Sequence, residues 1–260
     1  MLVREQPARP LASLRAAVSF LTRLPLGDLR DIAAIDVGRG VIYFPLIGAV
    51  IGGTVAAAAW VASLVLPVYV AAVLGVAVGA VMTGGLHVDG LADTADGYGA
   101  PTRARALEIM HDHQLGTYGV LAVVLDVGLR VALIAALLLH PLSLVCLVPA
   151  GALSRAASVG LGALMPSASG EGMQASVLQG VSVSRVALAI AIAVAIAVLT
   201  IRWLAIPGVL AVAASTLLWG WHCHRRLGGV TGDALGAASE FAELLILGLG
   251  VAVIQSGGTW

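Results

Sequence analysis

The chain has 260 residues, 60% of them hydrophobic and 11% charged, with zero net charge and a mean hydropathy of +1.01. A soluble domain carries about 25% charged residues, so a chain this apolar cannot cover itself with polar surface and reads as polytopic in a membrane. Zero net charge leaves no basic footprint for nucleic acid, and Cys146 and Cys223, far apart and without a CxxC, support neither a disulfide framework nor a thiolate zinc site.

Residues 1–10 are polar, carry two prolines and are expected to be disordered. Residues 11–24 place Leu11, Leu14, Val18 and Leu21 together with Arg15 and Arg23 elsewhere, as in an amphipathic helix lying at the membrane interface. Pro25 ends it. No short apolar core followed by a cleavage site is present, so no signal peptide is expected. Residues 26–40, with Asp28, Asp31 and Asp36, read as a polar loop.

The first apolar run, 41–66, is long enough to cross ~30 Å of hydrocarbon, and Gly48, Gly52 and Gly53 give it small-residue spacing for close helix packing. After Pro67, residues 68–86 form a second span. Residues 102–112 read as a short amphipathic helix, and spans follow at about 118–139 and 142–164. A polar Gly/Ser-rich loop, 165–184, precedes spans at 186–201, 204–221 and 235–254, and Gly170, Gly172 and Gly180 would let that loop move over a substrate. The expected fold is all-α: one integral membrane domain over 1–260, a helical bundle of about seven transmembrane helices plus the N-terminal interfacial helix.

Chemistry concentrates at Gly84-Gly85-Leu86-His87-Val88-Asp89-Gly90-Leu91-Ala92-Asp93-Thr94-Ala95-Asp96-Gly97, which holds three of the chain's 14 acidic residues directly after an apolar run. On a helix, Asp89, Asp93 and Asp96 fall at i, i+4 and i+7, which is one face. Three like charges in register repel. A divalent cation removes that penalty, and Mg2+ suits all-oxygen ligation that leaves room for substrate phosphates. The plain alternative is an acidic surface loop with helix caps, but a cap needs one carboxylate.

Six arginines precede the first span. If that end is cytoplasmic, the aspartate stretch, Arg103, Arg105, Arg185, Arg225 and Arg226 are cytoplasmic too, leaving Arg202 opposite, as the positive-inside rule prefers. The glycine-led motif also echoes later: Gly84-Gly85-x3-Asp89-x-Leu91-x4-Asp96 aligns with Gly228-Gly229-x3-Asp233-x-Leu235-x4-Glu240. Duplication and chance in a Gly/Leu/Ala-rich chain both account for it. Either way each glycine pair permits a turn and sets carboxylates at a helix start, where the macrodipole favours anions.

GGLHVDGLADTADG (84–97), EIMHDHQLGTYG (108–119) and GGVTGDALGAASEFAELL (228–245) closely resemble signature segments of the cobalamin synthase family, the adenosylcobinamide-GDP ribazoletransferases. FLTRLP (20–25) and YFPLIG (43–48) resemble that family's N-terminal segments, so the resemblance runs along nearly the whole chain in order. His111 and His113 depart from it, standing around Asp112 where a lysine and a serine would be expected. The resemblance implies a multi-pass, Mg2+-dependent enzyme of the cell inner membrane, with its active site facing the cytoplasm. It would join adenosylcobinamide-GDP to alpha-ribazole, or to alpha-ribazole 5'-phosphate, giving adenosylcobalamin or its 5'-phosphate, and GMP.

Phosphoryl transfer at a diphosphate depends on positioning and charge neutralisation. Asp89, Asp93 and Asp96 are expected as the first metal-ligand set and Asp233 and Glu240 as the second, with Asp112 joining either. His87 is expected either as the base for the attacking hydroxyl or as a hydrogen-bond partner orienting an aspartate. Arg155, a charge inside a span, suits either a phosphate contact or a snorkelling position. Arg103 and Arg105 are expected to steer the anionic substrate or to form a solvated face. Gly229, Thr231 and Gly232 make a small-residue turn whose amides could meet phosphate. Asp126 and Arg130, at i and i+4, are expected as an intrabundle ion pair, Glu243 as a weaker site residue, and His111, His113, His222 and His224 as interfacial. Oligomeric state, a homo-oligomer included, is left open. Two rivals remain. One is another aspartate–Mg2+ membrane transferase of prenyl or CDP-alcohol type; the other is a transporter with carboxylates at mid-bilayer.

Overall fold

The computed structural model describes residues 10–26, 32–112, 114–168 and 173–258. The expectations for residues 1–9, for Asp28 and Asp31, for His113, and for Gly170 and Gly172 lie outside the described residues. Every element among the described residues is helical, apart from one isolated bridge between Ser167 and Val230.

Two short helices begin the chain, α1 (Pro10–Leu21) and α2 (Ala34–Arg39). The burial pattern of α1 differs from the expected leucine stripe. Its small residues Ala12, Ser13, Ala16 and Ala17 face the protein, while Leu11 and Leu14 point outward. Small side chains let α1 lie against the backbone of the next segment, where Gly40 abuts the Ser13 carbonyl. The expected polar loop is partly helical, because Asp36 accepts the Ala33 amide at 3.1 Å and sits 3.4 Å from Arg39, closing the turn of α2.

The bundle follows. Its apolar legs are α3 (Phe44–Ser63), α4 (Val68–Thr83), α7 (Thr117–Leu138), α8 (Leu147–Leu164), α10 (Val183–Ile201), α11 (Ala205–Leu227) and α12 (Gly232–Gln255). Three shorter helices sit among them: α5 (Leu86–Tyr98), α6 (Arg103–Met110) and α9 (Met173–Leu178). Among the described residues, five helical stretches are long and apolar enough to cross a bilayer, or six if α4 and α5, bent by 89°, make one span. The expected count was about seven. Two facts separate the numbers. At 16 residues, α4 is only about 24 Å long at ~1.5 Å per residue. And Val183–Leu227 counts as one stretch of 45 residues although it folds back on itself. Arg202 breaks it with φ +52. Ile190 in the first half of α10 and Gly220 in the second half of α11 both lie beside the last turns of α8.

The buried helix α8 is the hub, with α3, α10 and α12 as its largest neighbours. Against α3 the contact is backbone to backbone: a methyl group at Gly48 would lie 2.1 Å from the Gly151 carbonyl oxygen, and one at Gly52 would lie 1.9 Å from that of Leu147. Such approach suits membrane bundles, where packing rather than hydrophobic transfer holds helices together. Gly53, also expected in that seam, faces only the Val148 side chain. The polar 165–184 segment is not all loop, since it contains α9. Gly180 abuts the Ile35 carbonyl and Gly38 that of Val177, which locks α9 to α2.

Candidate active site

The double glycine does what its sequence predicts. Gly84 and Gly85 both take left-handed conformations, φ +65 and +72, and turn the chain from α4 into α5. Gly228, at φ +75, ends α11 in the same way. Thr231 then caps α12 by accepting the Ala234 amide at 3.1 Å. The two echoed motifs thus become two helix starts, and those helices cross. A methyl group at Gly90 would sit 2.9 Å from the Asp233 Cα, and one at Gly236 would sit 3.2 Å from the His87 carbonyl oxygen. The crossing brings Asp89 and Asp233 close enough to act on each other as like charges. Both line one cavity of about 310 Å³, together with His87, Ser158 and Gly232.

Two of the remaining expected ligands, Asp96 and Glu240, go elsewhere. Asp93, one turn beyond Asp89, is half-buried. Asp96 is buried, and its two carboxylate oxygens accept the Gly116 amide at 2.7 Å and the Gly119 amide at 2.8 Å. Those amides open α7, so the dipole of that helix offsets the third negative charge of the stripe without a metal. Glu240 is two turns below Asp233 and forms a buried ion pair with Arg130. Among the described residues, no three His, Cys, Asp or Glu side chains converge as a group that could hold a metal ion. Four of the five carboxylates expected to share cations therefore occupy three environments: Asp89 and Asp233 the cavity, Asp96 the start of α7 and Glu240 the bundle interior.

That interior holds a network the sequence only hinted at. Arg130 pairs with both Glu240 and Glu243 and lies 3.4 Å from Asp126. Arg155 donates to Glu243 at 2.7 Å and to Ser154 Oγ at 2.7 Å, and its Nε is buried without a partner. The expected Asp126–Arg130 pair is therefore present but is not Arg130's main engagement. Arg155 faces Glu243, not the Asp89–Asp233 crossing. A second cavity of about 160 Å³ runs beside Arg130, Arg155, Glu240 and Glu243 and reaches His87, which lines both cavities.

The positively charged candidates sit at the same end of the bundle as Asp89. Arg103 donates to the Ala168 carbonyl at 3.3 Å and packs on Gly228. Arg105 pairs with Glu108 at 2.7 Å, both side chains being well exposed, and that carboxylate raises the Arg105 pKa. Asp112 is exposed at the end of α6, within electrostatic reach of Arg105. Gly229 presses on the Pro166 carbonyl, so its smallness serves chain packing, whereas Gly232 has open space around it. His111 is exposed and lies within electrostatic reach of Asp233. His222 instead stacks on Tyr98, with ring centres 5.1 Å apart.

Comparison with known proteins agrees with the motifs. The family model for cobalamin-5-phosphate synthase matches residues 13–251. Curated relatives named adenosylcobinamide-GDP ribazoletransferase include one from Thiobacillus denitrificans, 38% identical over 94% of this chain and 98% of the relative. One from Bradyrhizobium diazoefficiens is 39% identical over 95% of each chain. One from Klebsiella pneumoniae is 38% identical over 91% of this chain and 98% of the relative. No solved structure matches. With a family model spanning most of its length and relatives matched nearly end to end, the chain belongs to the cobalamin-5-phosphate synthase family.

Proposed function

We propose that the protein transfers the adenosylcobinamide phosphate group of adenosylcobinamide-GDP to alpha-ribazole, or to its 5'-phosphate, releasing GMP. The names of its relatives supply the reaction class. The observation that carries the site is the α5–α12 crossing, which sets Asp89 beside Asp233 at the rim of a cavity large enough for a small-molecule group.

The residues fit a Mg2+ ion held by few protein ligands. Mg2+ is commonly bound through one or two carboxylates plus substrate phosphates, with water completing its coordination. Asp89 and Asp233, a mutually repelling pair at the cavity, would hold it, with Asp93 the next carboxylate along α5. Bound there, the cation would neutralise diphosphate charge. In the transfer, a ribose hydroxyl oxygen bonds to the phosphorus on the cobinamide side. The bond from that phosphorus to the bridging oxygen breaks, and GMP leaves with that oxygen. A ring nitrogen of His87, which lines the same cavity, takes the hydroxyl proton.

The side of the membrane follows from charge. Arg103 and Arg226 bind carbonyls at the site end of the bundle, while Arg202 lies at the opposite turn between α10 and α11. Under the positive-inside rule this supports an active site facing the cytoplasm, with the protein in the cell's inner membrane. The transporter rival draws on the interior charges, yet those are arginine–carboxylate pairs among themselves. The test is direct. Purified protein in lipid nanodiscs, given adenosylcobinamide-GDP, alpha-ribazole and Mg2+, should release GMP in step with adenosylcobalamin. Absence of GMP alongside an active homologue rejects the assignment.

A further inference from the structure

We infer that the 310 Å³ cavity is the subsite for the acceptor's base: it takes a flat, apolar aromatic base of a nucleoside, with the sugar turned toward Asp89 and Asp233. The inference rests on the reaction proposed above and adds which part of which substrate lies there.

The cavity is two-faced. His87, Asp89, Asp233 and Ser158 supply its polar side. Of these, Ser158 Oγ already donates to the Arg155 carbonyl at 3.0 Å. The other walls are apolar, formed by Phe20, Val41, Phe44, Val159, Leu178 and Val181. Phe20 and Phe44 both line the cavity and stack on each other with centroids 5.9 Å apart and planes 18° from parallel, so one wall carries an aromatic pair. Aromatic side chains pair favourably with a further ring, offset-stacked or edge-on, so such a wall suits a planar aromatic group. These walls come from α1, the helical turn before α3, α3, α8, α9 and the turn after α9, and the α2–α9 backbone contact at Gly38 and Gly180 holds that side in place.

Other occupants fit worse. Guanine carries donors and acceptors around its edge, and an apolar wall would leave them unpaired at a cost. A corrin macrocycle is too large for this volume. A lipid chain would desolvate the two carboxylates and return nothing to them. A nucleoside whose aromatic base has an apolar rim matches these walls, and its ribose hydroxyls would meet the acidic side, where the phosphoryl group must arrive.

Equilibrium dialysis of alpha-ribazole against nanodisc-embedded protein, without donor, tests the subsite separately from catalysis. Ala163→Phe and Leu178→Phe narrow the cavity from two different helices. Each should weaken nucleoside binding and raise the acceptor KM at least tenfold, with the donor KM changed less than twofold. Leu129→Phe, on the outer surface of α7, should leave both KM values alone. Unchanged nucleoside affinity in both cavity variants overturns the inference, as does a loss that falls on the donor KM. If one variant fails to fold, the other decides. If the wild type binds alpha-ribazole in the cavity but releases no GMP, the transfer reaction falls and the subsite stands.

Discussion

Gly90 on α5 faces Asp233 on α12 so closely that a single methyl group added to it would lie 2.9 Å from the Asp233 Cα and 2.9 Å from its carbonyl oxygen. Backbone on one side and helix on the other leave nothing flexible to yield, so the helices themselves must part. Gly90→Ala should therefore spread Asp89 from Asp233. A displacement of about 1 Å at a reacting centre can cost ~10²-fold in rate, and a loss of that order in GMP release is expected, with normal membrane insertion. Wild-type turnover would show that the crossing does not position the site.

Asp89→Asn and Asp233→Asn remove charge where the diphosphate is proposed to sit. Each should lower kcat/KM by about 10²-fold or more, the scale of losing one electrostatic contact to a transition state. Chelation by EDTA should stop the wild-type reaction and added Mg2+ should restore it. Full activity in either variant would take that carboxylate out of the metal site.

Asp96 predicts a different phenotype on the same helical stripe. Its carboxylate holds the Gly116 and Gly119 amides at the start of α7. Asp96→Ala should cost about 2 kcal/mol of stability, the scale of hydrogen bonds to a charged group. The Mg2+ concentration giving half-maximal rate should stay unchanged. Thermal unfolding in detergent and a Mg2+ titration separate the two readings, because a ligand role moves the titration.

Arg130 neutralises Glu240 and Glu243 inside the bundle. Arg130→Met strands buried carboxylates, an error of about 3–5 kcal/mol, and should sharply lower folded yield. Adding Glu240→Gln to that variant should recover part of the loss. Additive losses in the double-mutant cycle would mean the two residues are not coupled.

Much of this was legible in the sequence. The apolar runs located every leg of the bundle, because a bilayer demands helices with no exposed backbone polar groups. The seam glycines Gly48 and Gly52, the double-glycine turn and the helix starts carrying Asp89 and Asp233 were equally visible. The interior was not. Arg130, Glu240 and Glu243 lie on two helices far apart in sequence, and no local pattern pairs them. Glu243, the weaker candidate by position, turns out to bridge Arg130 and Arg155.

The sequence by itself determined that Asp89, Asp93 and Asp96 share one helical stripe, because 3.6 residues per turn admits no other arrangement. Only the tertiary structure decided what that stripe meets. Its first carboxylate comes to Asp233 and an open cavity, and its last comes to the amides of α7. Helical periodicity fixes which side chains are neighbours along one helix. Whether a charge is answered by another carboxylate, an arginine or a helix end depends on which helix packs over it.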